Sequence, residues 1–345
     1  MGIPISAPAT FASQMMRRES VARLQGEIDR AAQEVSTGRH ADAYGALGTQ
    51  AGRAIGLHAE LARVDTFLSS NKMIEGRLAA MEDALGAMSE TAQSVLTLAV
   101  PNRDEPAFSA AELQVAARDA LTRIADISNT THAGRRLFSG VDSDGPGLVS
   151  WGSAGSGGTS PEAAMQAIVA GGPASAADAA AKSAAVEALF SGGYEGVFYE
   201  GAPATGPRLS AAIDTGAVLE YGIQADDPGF RDVVRGLSML ASTDVSQIED
   251  PEAYAAWMGD ALDALSRGID GLIQGEARTG EARGHLEATT LRLQDRRDLL
   301  HGESNALEGV DPYEAATRMS DLETRLQASY AVTARLAQMS FLNFL

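Results

Sequence analysis

The sequence predicts a mainly α-helical protein in which two helical ends flank a small β-rich central domain. Proline interrupts helices, and none occurs from residue 9 to 100 or from 252 to 311. Large apolar residues recur at helical spacing within both of these stretches. Glycine and proline gather instead in the middle of the chain, at 141–161 and 200–208. These observations predict helices at the ends and a different structure between them.

A long helix is predicted for residues 64 to 99, because the seam residues there alternate steps of three and four. The seam consists of Val64, Phe67, Asn71, Ile74, Leu78, Met81, Leu85, Met88, Ala92, Val95 and Ala99. Its one polar member is Asn71. Such a heptad seam is typical of helices that coil around a partner. At about 1.5 Å per residue, this helix would be roughly 50 Å long.

Shorter stripes with the same spacing predict two further helices in the N-terminal part. One stripe follows the turn segment VPNRDEP and consists of Leu113, Ala117, Ala120, Ile124 and Ile127. The segment HAGRRLFSG closes that helix. The other stripe precedes residue 40 and consists of Leu24, Ile28, Ala31 and Val35.

The C-terminal third repeats the heptad pattern more weakly. Leucines spaced by seven are Leu286, Leu293, Leu300 and Leu307, but the positions between them are Thr290, Arg297 and Ser304. Asp311 and Pro312 are the expected N-cap and first position of a last helix. That helix carries Met319, Leu322, Leu326, Leu336 and Met339, and the chain ends on SFLNFL, with Phe341, Leu342, Phe344 and Leu345.

The centre of the chain contains three short runs typical of strands, GVFYEG, RLSAAID and VLEYGIQA. Turn residues separate them, as in a small, mostly β module. The alanine-rich segment at 161–190 fits either a helix or a loosely ordered chain, and both readings stay open.

The composition limits the classes of partner. A formal net charge of −19 argues against nucleic acid and anionic membranes, because both attract basic surfaces. Without cysteine, disulfides and thiolate metal sites are excluded. We find neither a cleavable signal peptide nor the roughly 18 apolar residues that a membrane span requires. The expected partners are proteins. The expected location is the cytoplasm, unless an export route leaves the N-terminus uncut.

The motifs that suggest chemistry are incomplete. The segment SSNK at 69–72 fits the S-x-x-K nucleophile pattern, but its S-D-N and K-T-G companions are absent. The five histidines are scattered, with no H-E-x-x-H pair. DSDGPG begins like a calcium loop, but Ser153 stands where a bidentate glutamate is needed. GSAGSGG lacks the Lys-Ser/Thr of a phosphate loop. We therefore predict no catalytic, cofactor-binding or metal-binding residue.

The apolar C-terminal tip gains little by packing only on its own chain. Burying its four large side chains is worth roughly 6–12 kcal/mol. Ordering five tail residues costs about 5–10 kcal/mol in backbone freedom alone. The tip therefore gains more in a bundle that many copies share.

Several segments together resemble the flagellins. These are EVSTGR at 34–39, GRRLFSG at 134–140, the β-prone middle and the closing ATRMSDLETRLQASYAVTARLAQMSFLNFL. The resemblance covers nearly the whole chain. GRRLFSG and the final SFLNFL are most similar to the branch of the family that joins hook to filament. After S-T-G and its basic residue the chain reads HADAYGALG, where many relatives carry an Asp-Asp run.

The resemblance implies a chain folded back on itself as an antiparallel coiled-coil bundle. Residues 1–41 and 308–345 would be the helices through which the protein polymerises. Residues 42–140 and 225–307 would form a longer helical bundle, and 141–224 a β-rich domain that faces outward.

The resemblance also implies a structural, non-enzymatic role at the junction between hook and filament, without a cofactor. The implied partners are the first hook-associated protein, flagellin, copies of the chain itself in a ring layer, and an export chaperone on the C-terminal helix. Export would leave the N-terminus uncut and place the protein outside the cell. The predicted interface residues are Leu24, Ile28, Val35, Leu322, Leu326, Leu336, Met339, Phe341, Leu342, Phe344 and Leu345.

Two alternatives remain at this point. A filament flagellin would use the same terminal helices in bulk. A cytoplasmic coiled-coil adaptor would use the 64–99 seam without flagellar incorporation. A third hypothesis is an enzyme, and it would rest on Ser69 and Lys72 alone.

Overall fold

The computed structural model describes residues 7–142 and 145–342. They form two compact units. The terminal unit comprises the described residues up to Thr66 and from Gln294 onward. The central unit comprises the described residues of Phe67–Leu293. Helices make up 72% of the structure and strands 6%, which confirms the mainly α fold with a small central β-containing region.

The described α-helices, in chain order, are α1 (Ala7–Thr37), α2 (Ala43–Leu47), α3 (Ala51–Ala99), α4 (Ala110–Ser128), α5 (Pro161–Val169), α6 (Ala176–Gly192), α7 (Pro228–Ser242), α8 (Pro251–Glu308) and α9 (Pro312–Leu342). Short 3₁₀ turns occupy Gly48–Gln50, Val100–Asn102 and Val245–Gln247. The strands are β1 (Thr131–His132), β2 (Arg135–Arg136), β3 (Ser210–Asp214) and β4 (Ala217–Glu220). They pair as two antiparallel hairpins, β1 with β2 and β3 with β4.

The predicted heptad seam lies within α3 and is buried along its length, except that Phe67 is half-buried. Its polar member, Asn71, is only 1% exposed. The Asn71 side-chain amide donates a hydrogen bond to the Ile213 carbonyl oxygen at 3.0 Å. A buried amide is costly unless it is hydrogen-bonded. Asn71 therefore ties the β3–β4 hairpin to the helix and is not a defect in the seam.

The hairpin also packs on the helices through its apolar side chains. Ile213 and Leu219 share a small core with Ile74, Leu78 and Leu286. A turn with Gly216 at φ +76° joins the two strands, a conformation that glycine adopts at little cost. The predicted strands in RLSAAID and VLEYGIQA are thus present as β3 and β4.

The third β-prone run, GVFYEG, forms no regular strand; Tyr199 makes only isolated bridges to Leu148 and Glu195. Its aromatic residues are buried in a ring cluster, with Phe198 stacked on Tyr194 at a centroid separation of 5.6 Å. Aromatic residues favour strands chiefly because they pack well on half-buried surfaces. Here these aromatic residues pack against each other in a compact cluster instead, without forming a strand. The alanine-rich segment, whose structure the sequence left open, folds as α5 and α6.

Glycines allow α7 and α8 to approach at backbone contact. A Cβ added at Gly271 would lie 2.5 Å from the Gly229 Cα, and one at Gly268 would lie 2.3 Å from the Val233 backbone nitrogen. No side chain fits into such gaps. The central core then builds around this crossing, with Trp257, Tyr254 and Phe138 fully buried.

Candidate assembly interface

The two terminal helices, α1 and α9, pack against each other in the terminal unit. The Gln25 side-chain amide donates to the Tyr330 hydroxyl at 3.1 Å, and Arg318 pairs with Glu34 at 3.2 Å. As residue numbers rise along α1, those of its α9 partners fall, so the pair is antiparallel. Ala31 is buried on α1, and Ala315 and Leu322 are buried on α9.

The predicted interface residues differ in their exposure. Leu322 is buried, whereas Leu24, Ile28 and Leu326 are half-buried. Val35 lies at the surface, with 36% of its area exposed. Two of the other predicted positions, Phe344 and Leu345, lie outside the described residues. The remaining four lie in α9, but the structure does not describe their side chains; they are Leu336, Met339, Phe341 and Leu342. Their part in an interface stays a prediction.

Large apolar side chains also lie on the outer faces of this helix pair. They are Met15, Met16, Tyr313 and Val332, each more than half exposed. Tyr330 is 49% exposed, although its hydroxyl accepts the bond from Gln25 across the pair. A two-helix pair hides only one stripe of each helix. Exposed apolar residues that cluster on such faces are a usual feature of protein–protein interaction sites. None of these residues is among the predicted interface positions, because those positions belong to a single apolar stripe on each helix.

A short backbone ladder joins the end of α1 to the break between α8 and α9. Arg39 and Gly309 form an antiparallel bridge. The His40 amide donates to the Glu308 carbonyl, and the Val310 amide to the Gly38 carbonyl, both at 3.0 Å. Gly38 ends α1 with φ +67°, a left-handed conformation typical of helix C-termini. Asp311 accepts a hydrogen bond from the Tyr313 amide at 2.8 Å, as expected of the α9 N-cap.

The Glu308 carboxylate is buried beside this ladder. Glu308 is only 4% exposed. Its carboxylate meets His58 Nε2 at 2.6 Å and Arg39 Nη1 at 3.5 Å. A buried charge is costly unless it is paired, so these contacts fix the end of α8 to the ladder.

Glu34 is the second buried acid at the ladder and is 9% exposed. Its carboxylate accepts the Ala41 amide at 3.2 Å and lies 3.6 Å from His40 Nδ1. It also holds Arg318 of α9, as described above. The sequence contained a signal for this role, since Glu34 follows the buried Ala31 by three residues and so shares its helix face.

In the described part of the structure, the motifs that could suggest catalysis or ligand binding do not come together as one site. Ser69 and Lys72 are both exposed on α3. In the GSAGSGG loop the Gly157 amide donates to the Gly196 carbonyl at 3.1 Å, so this amide is already bonded within the protein. The calcium-like segment includes residues 143 and 144, which lie outside the described part. Within the described ranges, no three histidine, aspartate or glutamate side chains gather closely enough to hold a metal ion.

A polar cluster in the central unit surrounds the start of α7. Arg208 pairs with Asp227 at 2.8 Å, and its other terminal nitrogen lies 3.7 Å from the Asp226 carboxylate. The Asp226 side chain is fully buried. Burial raises the pKa of Asp226, and Asp227 adds to this rise, whereas Arg208 and Arg231 oppose it.

No helix in the described part of the chain is both long and apolar enough to cross a membrane.

Comparison with known proteins gives the family. The N-terminal helical region of bacterial flagellin matches residues 9–143, and its C-terminal helical region matches residues 262–345. Together these matches span more than half of the chain. No curated protein matches it.

Two solved structures are similar to this chain. A protein of Vibrio parahaemolyticus described as a flagellar hook-associated protein is 11% identical, with a TM-score of 0.52, over 75% of this chain and 97% of that one. The crystal structure of FlgL from Bacillus cereus is 13% identical, with a TM-score of 0.49, over 73% of this chain and 98% of that one. The fold is therefore shared with the Vibrio protein, and the two regional matches show that this chain belongs to the flagellin family of bacterial flagellar proteins.

Proposed function

We propose that this protein forms the layer between the flagellar hook and the filament, the role of flagellar hook-associated protein 3. It would act as a structural, non-enzymatic component. The observation that carries the proposal is the pair of terminal helices, α1 and α9, which meet in one unit and leave large apolar side chains on their outer faces. Support for the junction role in particular comes from GRRLFSG and SFLNFL and from the fold shared with the Vibrio hook-associated protein.

The mechanism is co-assembly of terminal helices from neighbouring subunits. Each large apolar side chain that moves from water into a shared bundle stabilises that bundle by roughly 1.5–3 kcal/mol. Met15, Met16 and Val332 would contribute from the outer faces described above. Leu336, Met339 and the tip residues Phe341 to Leu345 would pack between subunits.

The ladder between residues 38–40 and 308–310 supports this mechanism. It fixes the end of α1 beside the start of α9. Both helices of one subunit would then enter the assembly in one register.

The proposed partners follow from this position. Copies of the chain would form a ring layer, with the first hook-associated protein on one side and flagellin on the other. An export chaperone would shield the C-terminal stripe before assembly, and the protein would leave the cell with its N-terminus uncut. Residues 1–41 and 308–345 would form the polymerising domain, 42–140 and 225–307 the bundle, and 141–224 the outward-facing domain.

Deletion of the gene tests the proposal. A junction protein is needed before flagellin can add, so the deletion strain should assemble hooks without filaments, as seen by electron microscopy of cell surfaces. Restoring the gene should restore the filaments. If hooks in the deletion strain still carry filaments, the protein is not the junction, and a filament flagellin or an adaptor becomes the better assignment.

A further inference from the structure

Phe108 is fully exposed, with a relative exposure of 102%. It lies in the loop between α3 and α4, where residues 103–108 are all exposed. A phenylalanine side chain left in water forgoes burial, which is favourable for so large an apolar group. Phe108 thus adds nothing to the core of the central unit.

The loop that carries Phe108 is nonetheless firmly held at its ends. The Asn102 side-chain amide donates to the Leu98 carbonyl at 2.9 Å and to the Ser109 hydroxyl at 2.8 Å. Its side-chain oxygen accepts the Ala107 amide at 2.8 Å. Asn102 is itself fully buried. One side chain therefore joins both ends of the loop, as in compact surface loops that often carry function.

A second buried contact fixes this anchor to α8. The Tyr254 hydroxyl donates to the Asn102 carbonyl at 2.7 Å. Burial raises the pKa of Tyr254 to about 12, so the hydroxyl keeps its proton and its donor role near neutral pH. Pro101 and Pro106 further restrict the backbone on either side of the anchor. The loop therefore presents Phe108 with little conformational freedom left to lose on binding.

The charges around Phe108 indicate the chemistry of what it meets. Asp104, Glu105 and Glu112 are exposed near it along the chain. Arg103 lies 4.0 Å from Asp263 and is partly offset by it. Residues 67–293 as a whole contain 15 basic and 31 acidic side chains, a net charge of −16. A second copy of this acidic unit would be repelled, whereas a basic surface would be attracted.

We propose that the loop at 103–109 is a docking element whose Phe108 enters an apolar pocket with a lysine- or arginine-lined rim on a different protein. Aromatic residues are enriched at the cores of protein interfaces, and the rims around them are polar. This docking does not depend on the junction role proposed above, because it concerns the central unit and not the terminal helices.

Site-specific photo-cross-linking in flagellated cells tests the proposal with the full-length protein. Phe108 is replaced by p-benzoylphenylalanine, cells are irradiated, and adducts are identified by mass spectrometry. The matched control carries the same residue at Val115, an apolar position on α4 that is 60% exposed. A second strain combines the Phe108 replacement with Asp104→Lys and Glu105→Lys.

The expected result is one identified protein other than this chain, joined at position 108 through a peptide that contains lysine or arginine. Charge reversal should lower the adduct yield roughly tenfold or more, and the Val115 control should not form the adduct. Adducts only between copies of this chain, no adduct, the same adduct at Val115, or a yield unaffected by charge reversal would each overturn the proposal.

Phe108→Ser separates docking from folding. Because Phe108 does not pack in the core, the purified variant should melt at the same temperature as the native protein. It should bind the identified partner about 30-fold more weakly, the loss typical of a hot-spot residue. A variant that folds and binds like the native protein would also contradict the docking role.

Discussion

At the residue scale, Asp226 lies buried just before α7 without a hydrogen-bond donor for its carboxylate. The charged groups that act on it are Arg208 and Arg231, which favour ionisation, and Asp227, which opposes it. Burial outweighs the two arginines, so the pKa of Asp226 is raised in the folded protein. The ionised form therefore costs stability that the protonated form does not.

The first prediction is that Asp226→Asn raises the melting temperature at pH 7.5. A raised folded-state pKa means that the folded protein binds the proton more tightly than the unfolded chain does. The penalty is therefore complete above the folded-state pKa and fades as the pH falls toward about 4, the value of a free aspartate. Melting curves of both proteins across this range should converge at the acidic end. A variant that melts lower than the native protein at pH 7.5 would contradict this account.

The second prediction concerns the buried acid at the backbone ladder. Glu308→Ala removes the buried carboxylate that pairs with His58 and Arg39 and should destabilise the ladder by about 1–3 kcal/mol. Hydrogen exchange of the His40 and Val310 amides should accelerate roughly tenfold. The matched control is Glu303→Ala, which removes an exposed pair with Arg53 and should change exchange little. Equal effects of the two variants would show that Glu308 is no more than a surface charge.

Residue roles of this kind were only partly predictable. Asn71 was visible as the polar member of the seam, but its partner, the Ile213 carbonyl, lies 142 residues away and could not be read from spacing. The contacts of Glu34 and Glu308 likewise depend on two distant chain segments meeting. Local periodicity reports which face of a helix is buried, and not what lies across from it.

At the element scale, the long helices were predicted because their apolar residues repeat over many turns. The seam in α3 and the leucine repeat in α8 both gave such a signal. No apolar stripe was identified for α7, although it lies within the predicted bundle range 225–307 and Phe230, Val233 and Leu237 are buried along it. In α5 and α6, small alanine side chains leave only a few large apolar positions, so the periodic signal is weak.

The third prediction tests the close crossing of α7 and α8. Gly268→Ala places a Cβ against the Val233 backbone and should destabilise the protein by about 1–3 kcal/mol through overpacking. On the same helix, a Cβ added by Gly259→Ala would have no other atom within 4 Å. Alanine is also the better helix former by roughly 0.8–1 kcal/mol. Denaturant unfolding should therefore show opposite signs for the two variants. If both are stabilising, the helices have room to separate at this crossing.

At the scale of the whole molecule, charge is distributed unevenly along the chain. Residues 67–293 carry a net charge of −16, whereas the two remaining segments together contain 12 basic and 15 acidic residues. Nearly balanced charge permits close association of terminal helices, while an acidic central part keeps free subunits soluble. This division fits the assembly through the chain ends that the resemblance to the flagellins implies.

The fourth prediction is that removal of residues 336–345 abolishes incorporation into the flagellum. The truncation would remove the proposed contacts of the apolar tip with neighbouring subunits and would leave the heptad seam at 64–99 untouched. The truncated protein should therefore keep the far-ultraviolet circular dichroism of its long helices. Unchanged incorporation, measured in isolated flagella by immunoblotting, would show that the tip has no role in assembly.

Immunogold labelling of isolated hook–basal bodies with attached filaments tests the junction role most directly. The proposed role predicts a thin labelled band where the hook meets the filament. Label along the whole filament would contradict the junction role and assign the protein as a filament flagellin, and no label on the structure would exclude it from the flagellar axis.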